Sequence, residues 1–272
     1  MSALPAEKDA MPPSVQSIAR IIHNDRLAPS IYRLTIQAPE IASAAVPGQF
    51  VMVRTMDGYD PLLRRPFSIH QATANGRIQI LYRVTGKGTR LMAALQSGAN
   101  LDILGPLGHG FSMSLPGSIC LVGGGMGIAP LFFLAKQLSL KNDPQGVFVF
   151  LGSRNKEELM CIPELIDMGY SLKIATDDGS EGHHGLVTDL LEKHIPADVT
   201  CSVYSCGPYP MLKKVALISK LYDWRCQVSL ETMMACGLAA CLGCVAPQAK
   251  NPAEYFHVCK DGPVFDAGAV AW

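Results

Sequence analysis

Residues 119–138 read ICLVGGGMGIAPLFFLAKQL, and this stretch decides the fold. Ile119, Cys120, Leu121 and Val122 form a short apolar run of the kind found in a buried strand. Gly123, Gly124, Gly125 and Gly127 follow at once, and Ile128 to Leu138 is apolar and helical in character. Strand, glycine turn and helix in that order predict a βα unit of a parallel sheet. Glycines let a phosphate approach the main chain, and a helix start favours its negative charge. The spacing is not GxGxxG, so taken alone the motif also fits a plain glycine-rich turn.

Downstream the pattern repeats. Val147 to Leu151, Leu172 to Ala175 and Val203 to Ser205 read as strands, with helices expected around Lys156 to Asp167 and Thr188 to Lys193. Ser205-Cys206-Gly207-Pro208 falls at the C-terminal end of a strand, where open α/β sheets bind ligands. Cys206 is a candidate nucleophile or a small packing residue beside the ligand, and no base partner is visible for it. His183 and His184 lie in a glycine loop and read as surface or structural residues.

Upstream, the runs Ile31 to Ile36, Phe50 to Arg54, Ile78 to Val84 and Leu101 onward are separated by turns, as in a small antiparallel barrel. Two segments there carry chemistry. In Leu63-Arg64-Arg65-Pro66-Phe67-Ser68 an arginine beside a proline-fixed strand is suited to a pyrophosphate, and Ser68 places a hydroxyl nearby. Tyr82-Arg83-Val84 leads through Gly86-Lys87-Gly88-Thr89 into a second anion-ready helix start. Each also reads as ordinary barrel structure. Two anion-ready helix starts beside an Arg-Pro motif favour a dinucleotide.

Near the end stand Cys236, Cys241, Cys244 and Cys259, the first three spaced C-x4-C-x2-C. Four thiolates joined by glycine-containing turns make a soft metal site, and plant-type iron–sulfur proteins begin with this spacing. A closed structural zinc site is the alternative, which would make the chain a zinc-stapled binding module. Cys120, Cys161, Cys201 and Cys226 lie in or beside apolar runs and read as packing residues.

The balance of 23 basic and 23 acidic residues gives no footprint for nucleic acid. No apolar run is long enough to span a membrane, and the first residues lack a secretory pattern. Nine cysteines, an odd count, suit a reduced cytoplasmic protein with a metal site better than a disulfide framework.

Together these segments resemble the ferredoxin–NADP reductase superfamily, and more closely the electron-transfer subunits of NAD-linked, two-subunit dihydroorotate dehydrogenases. Arg65-Pro66-Phe67-Ser68 resembles that family's flavin motif, Leu81 to Val84 and Gly88-Thr89 its ribityl and pyrophosphate segments, Gly123 to Pro130 its nicotinamide-nucleotide loop, and Cys206-Gly207-Pro208 its nicotinamide-side motif. The stretch SLETMMACG, with Glu231, and the ending CKDGPVFDA also look like that subunit.

The resemblance implies an α+β multi-domain chain: a flexible lead over 1–14, an antiparallel β-barrel FAD domain over 15–112, a parallel α/β nucleotide-binding domain over 113–225 and a small C-terminal [2Fe-2S] domain over 226–272. It implies catalytic roles for Ser68 and Cys206, and cluster ligation by Cys236, Cys241, Cys244 and Cys259. It implies electron flow in pyrimidine biosynthesis from the FMN of a partner dihydroorotate dehydrogenase subunit, through [2Fe-2S] and FAD, to NAD+, with NAD(H) as substrate, in a cytoplasmic heterotetramer of two of each subunit. Subunits of sulfide dehydrogenases, hydrogenases and ferredoxin oxidoreductases share these parts. The family usually carries glycine where Ala239 stands, so a positive φ there would cost on the order of 1 kcal/mol.

Overall fold

The computed structural model describes residues 14–114, 116–140, 146–195, 199–251 and 253–272; residues 1–13 of the expected lead lie outside them. The first sheet contains β1 (Val15–Ala28), β2 (Ile31–Gln37), β3 (Phe50–Arg54), β4 (Arg65–Ser68), β5 (Gln71–Thr73), β6 (Arg77–Arg83) and β7 (Asn100–Leu107). Its order is β4-β3-β7-β1-β2-β6-β5, with every pair antiparallel. The two edge strands are consecutive in sequence. Between them Ile69 N–H donates to Gln49 O and His70 N–H to Gln79 O, which draws the edges together into a barrel. Alternate residues fill it: Ile78, Ile80 and Tyr82 of β6 pack with Ile21, Leu34, Ile36 and Val53. Two helices, α1 (Pro39–Ala44) and α2 (Lys87–Ala94), pack on this body.

The second sheet holds β8 (Ser118–Gly124), β9 (Val147–Ser153), β10 (Ser171–Thr176), β11 (His183–His184), β12 (Cys201–Cys206) and β13 (Arg225–Ser229). The helices α3 (Ile128–Ser139), α4 (Ile162–Asp167), α5 (Val187–His194) and α6 (Tyr209–Leu221) connect them. After β13 come β14 (Val245–Pro247), β15 (Tyr255–His257), α7 (Val258–Asp261) and β16 (Val264–Asp266). The order β11-β10-β9-β8-β12-β13-β16 is parallel throughout except for β16. The chain runs outward from β8 to one side, then returns to β12 on the other. This places the topological switch point, where such sheets bind ligands, at the ends of β8 and β12.

Two expectations change. The helix foreseen over Lys156 to Asp167 is a 3-10 turn at Lys156–Glu158 followed by the short α4. Pro163 has no N–H to donate and its ring would clash with the turn before it, so a helix cannot run through; Cys161 turns the chain there at φ +66. The boundary expected between 225 and 226 falls inside β13, and β16 returns to pair with that strand. The C-terminal segment therefore has no core of its own. Cys244, Val258 and Cys259 share one with Met52 of the barrel and Val228 of the second sheet. Among the described residues no helix is long and apolar enough to cross a membrane.

Candidate functional site

Two grooves meet between the barrel and the parallel sheet. The smaller, about 230 Å³, runs along β4 and β6 and is lined by Pro66, Phe67, Ser68, Leu81, Tyr82 and Arg83, with Ser229 to Thr232 and Met234 opposite. The larger, about 470 Å³, opens at the switch point over Gly124, Gly125 and Gly127, with Gly207 and Pro208 across from them. Arg83, Met126 and Glu231 line both, so the two grooves share a wall.

Next to Pro66, at the start of β4, Arg65, Thr55 and Gly88 come together in a candidate anion cradle. A Cβ on Gly88, in the first turn of α2, would stand 3.4 Å from both Arg65 Nε and Thr55 Oγ1. Thr55 is buried and its hydroxyl has no partner among the described residues. Native structures rarely leave a buried hydroxyl unpaired, so this orphan fits a polar ligand such as the FAD pyrophosphate. The neighbouring Arg64 is spent on a 2.7 Å ion pair with Asp102. Thr89 shapes the turn: its Oγ1 accepts from Thr85 N–H at 2.9 Å and Gly86 N–H at 3.1 Å. Val84 bonds back to Ser30 O and packs with the barrel core, outside the groove wall.

At the ring end, Tyr82 donates to Asn24 Oδ1 at 3.1 Å, and burial pushes its phenol up to about 12. The Ser68 hydroxyl makes no hydrogen bond among the described residues and faces the groove unencumbered. Arg83 grips Glu158 through two bonds of 2.6 and 2.9 Å, tying β6 to the nucleotide sheet. That hydrogen bonding holds the Glu158 carboxyl below the usual carboxylate range. Glu231 opens onto the junction, yet the surrounding protein mass removes water and raises its carboxyl pKa.

The nucleotide loop owes its shape to close packing. A Cβ on Gly127 would stand 2.0 Å from Cys206 O, and one on Gly124 would stand 2.6 Å from Met211 Sδ. Gly125 takes φ +53 and has open space before it, while Gly123 is packed beneath Leu131 and Leu151. Cys206 is 1% exposed and lies behind the loop, off both groove walls. Desolvation pushes its thiol pKa well up. Of the two expectations for Cys206, its burial behind Gly127 favours the packing one over the nucleophile.

The cysteine loop turns through three left-handed residues: Gly237 at φ +71, Ala239 at +61 and Leu242 at +57. The turns aim main-chain donors at sulfur. Leu238 and Cys241 N–H point to Cys236 Sγ at 3.3 and 3.4 Å. Ala239 N–H reaches Cys259 Sγ at 3.2 Å, and Cys259 N–H reaches Cys244 Sγ at 3.3 Å. Such donors favour thiolates, the form a metal needs. The thiols approach in pairs, Cys236 with Cys241 and Cys244 with Cys259, an arrangement that two irons could share. The loop rests on the barrel, since a Gly237 Cβ would stand 2.5 Å from Met52 Cγ.

Several groove residues escape sequence reading. Glu158 and Asp177 carry no motif; Met126 falls inside the loop Gly123 to Pro130, and Glu231 and Thr232 inside SLETMMACG, without a role assigned to either Met126 or Thr232 there.

Comparison with known proteins agrees with this layout. Residues 15–111 match an oxidoreductase FAD-binding domain, 121–216 an oxidoreductase NAD-binding domain, and 231–271 the iron–sulfur cluster binding domain of dihydroorotate dehydrogenase B. The chain is 40% identical to the dihydroorotate dehydrogenase B (NAD(+)) electron transfer subunit of Desulforamulus reducens, over 93% of this chain and 97% of that one. It is 42% identical to the same subunit of Geobacillus thermodenitrificans, over 92% and 96%. Among solved structures, a chain of NADH-dependent reduced ferredoxin–NADP oxidoreductase, studied for flavin-based electron bifurcation, superposes with TM-score 0.84 at 28% identity, covering 94% of this chain and 90% of that one. A Neisseria gonorrhoeae ferredoxin NADP+ reductase with bound FAD and NADP shares the fold, with TM-score 0.64 at 18% identity over 79% and 92%.

Proposed function

The chain belongs to the electron transfer subunits of NAD(+)-linked dihydroorotate dehydrogenase B, and from that premise we propose how its residues carry electrons between NAD(H) and the catalytic partner subunit. The observation that carries the proposal is the meeting of the two grooves at Arg83, Met126 and Glu231. Bound FAD supplies the exchange between a two-electron hydride and single electrons, and the [2Fe-2S] cluster relays electrons singly.

Arg65, Thr55 and the α2 main chain hold the flavin pyrophosphate, while Pro66, Phe67, Ser68, Leu81 and Tyr82 wall the flavin ring. Gly124, Gly125 and Gly127 receive the nicotinamide-nucleotide phosphates, with Gly207 and Pro208 opposite. Arg83, held by Glu158, ties barrel to sheet where the two grooves share a wall, so a flavin and a nicotinamide held there would be brought together.

The adenosine end extends over β9 and β10. Arg154, a candidate for a 2′-phosphate, is engaged with Glu158 at 3.4 Å, and Asp177 lines the same wall. A carboxylate there suits a ribose hydroxyl and repels a 2′-phosphate, which favours NAD over NADP.

Cys236, Cys241, Cys244 and Cys259 hold the cluster. Exposed apolar side chains surround it: Met233 is 92% exposed, with Leu238 and Leu242 beside the exposed Cys241. This rim suits the partner's FMN-bearing catalytic subunit, with two copies of each chain in a heterotetramer. The nine free cysteines suit a reducing cytoplasm.

Replacing Cys241 by serine tests the order of carriers. Cluster-dependent transfer to the partner is lost, while NADH oxidation with an artificial acceptor persists. Equal loss of both activities would overturn the order.

A further inference from the structure

Four buried polar side-chain atoms have no hydrogen-bond partner among the described residues: Thr55 Oγ1, Ser219 Oγ, Thr232 Oγ1 and His257 Nδ1. Thr55 sits in the anion cradle. Thr232 lines the barrel groove together with Ser68, Phe67, Met126 and Glu231. Strand β4 links the cradle to that groove: Arg65 opens the strand and Ser68 closes it, roughly 10 Å on at the rise of an extended chain. A dinucleotide with its pyrophosphate at Arg65 places its ring system at Ser68, beside the junction. Thr232 lies within SLETMMACG, where the sequence assigns it no role.

We propose that Thr232 is a flavin-ring ligand, its hydroxyl donating to a polar atom on the ring's edge. The proposal rests on reading this groove as the flavin site. A ring carrying carbonyl oxygens and ring nitrogens supplies the acceptor that the protein does not. A buried hydroxyl left unpaired is costly, so the position is explained by a ligand that completes it. The placement has a consequence for the electron path. Thr232 stands on the segment that leaves β13 through Ser229 and Leu230 and runs directly into Cys236. The flavin ring is thereby fastened to the strand of chain that carries the first cluster ligand, and the two redox groups are positioned by one stretch of main chain. The short link, with Gly237 seated on Met52, leaves that stretch little freedom to move between them.

The test uses the full-length chain purified with both cofactors. FAD release on dilution is followed by flavin fluorescence, and the visible flavin spectrum is recorded, for wild type, Thr232→Val and Thr232→Ser. Valine keeps the shape and removes the hydroxyl; serine keeps the hydroxyl and removes the methyl. The expected result is release about tenfold faster for Thr232→Val, the effect of one hydrogen bond, with shifted flavin bands. Thr232→Ser is expected within about threefold of wild type, with bands unshifted. Wild-type release and spectrum in Thr232→Val would overturn the proposal. So would serine behaving like valine, since packing by the methyl would then be the cause. Arg65→Ala serves as the control for the groove. If it speeds release and Thr232→Val does not, the proposal falls while the flavin reading stands. If neither variant differs from wild type, the flavin reading falls and takes the proposal with it.

Discussion

Ala239 is held at φ +61 between two cluster cysteines while its N–H points to Cys259 Sγ at 3.2 Å. Left-handed backbone costs a non-glycine residue about 1–2 kcal/mol. Ala239→Gly removes that cost and keeps the N–H donor. Two effects oppose the gain: a freer unfolded chain costs about 0.4–1 kcal/mol, and losing a half-buried methyl costs about 0.4 kcal/mol. Central values leave the variant about 0.5 kcal/mol more stable, or roughly twofold in rate when read as cluster retention. Ala239→Val acts the other way, because β-branching is least tolerated at positive φ. The assay is the decay of cluster absorbance in the presence of a chelator at fixed temperature. Slower decay for glycine and faster decay for valine are expected. Glycine decaying as fast as wild type, or faster, would refute the argument that strain at this residue limits the loop.

Three further outcomes follow from the same geometry. Arg65→Ala removes the cradle's guanidinium, and purified chain is expected to retain at least tenfold less FAD by absorbance, the worth of a charge-assisted bond. Asp177→Ser lifts the repulsion of a 2′-phosphate, and the NADPH-to-NADH ratio of kcat/KM is expected to rise about tenfold. His70 is buried between Ala129 O, at 3.1 Å from its Nδ1, and the ring of Phe132, and burial lowers its pKa from 6.5 to about 4. The unfolded chain binds the proton more readily between these values, so this stability is complete above about pH 6.5 and is lost as pH falls toward 4. The whole loss is of order 3 kcal/mol, of which about 2 kcal/mol falls between pH 7 and pH 5, and His70→Asn should flatten that part in denaturant titrations at the two pH values.

The parallel sheet was legible because its strands are buried on both faces and read as unbroken apolar runs such as Ile119 to Val122. β1 was not, although it is long. Irregularities between Ile21 and His23 and between Arg26 and Ala28 break its two-residue period. α6 escaped notice despite apolar residues at 212, 215, 216 and 218 on one helical face. The cluster cysteines declare themselves by spacing, and the positive φ at Ala239 was foreseeable once glycine was the expected residue. The lining contributed by Glu158 and Asp177 was not, because these common polar residues come from separate elements and acquire meaning only when the barrel and sheet are packed together. Cys206 shows a reading that the sequence left open between nucleophile and packing residue, and its burial under Gly127 favours packing.

The central claim is that this chain joins NAD(H) to a catalytic partner through its flavin groove and its cysteine loop. The most direct measurement is dihydroorotate-dependent NAD+ reduction by the chain purified together with its native partner. The account predicts NADH formation at 340 nm that requires both subunits and an FMN-containing partner. A partner without FMN, or a complex that forms no NADH from dihydroorotate while still oxidising NADH with an artificial acceptor, would contradict it.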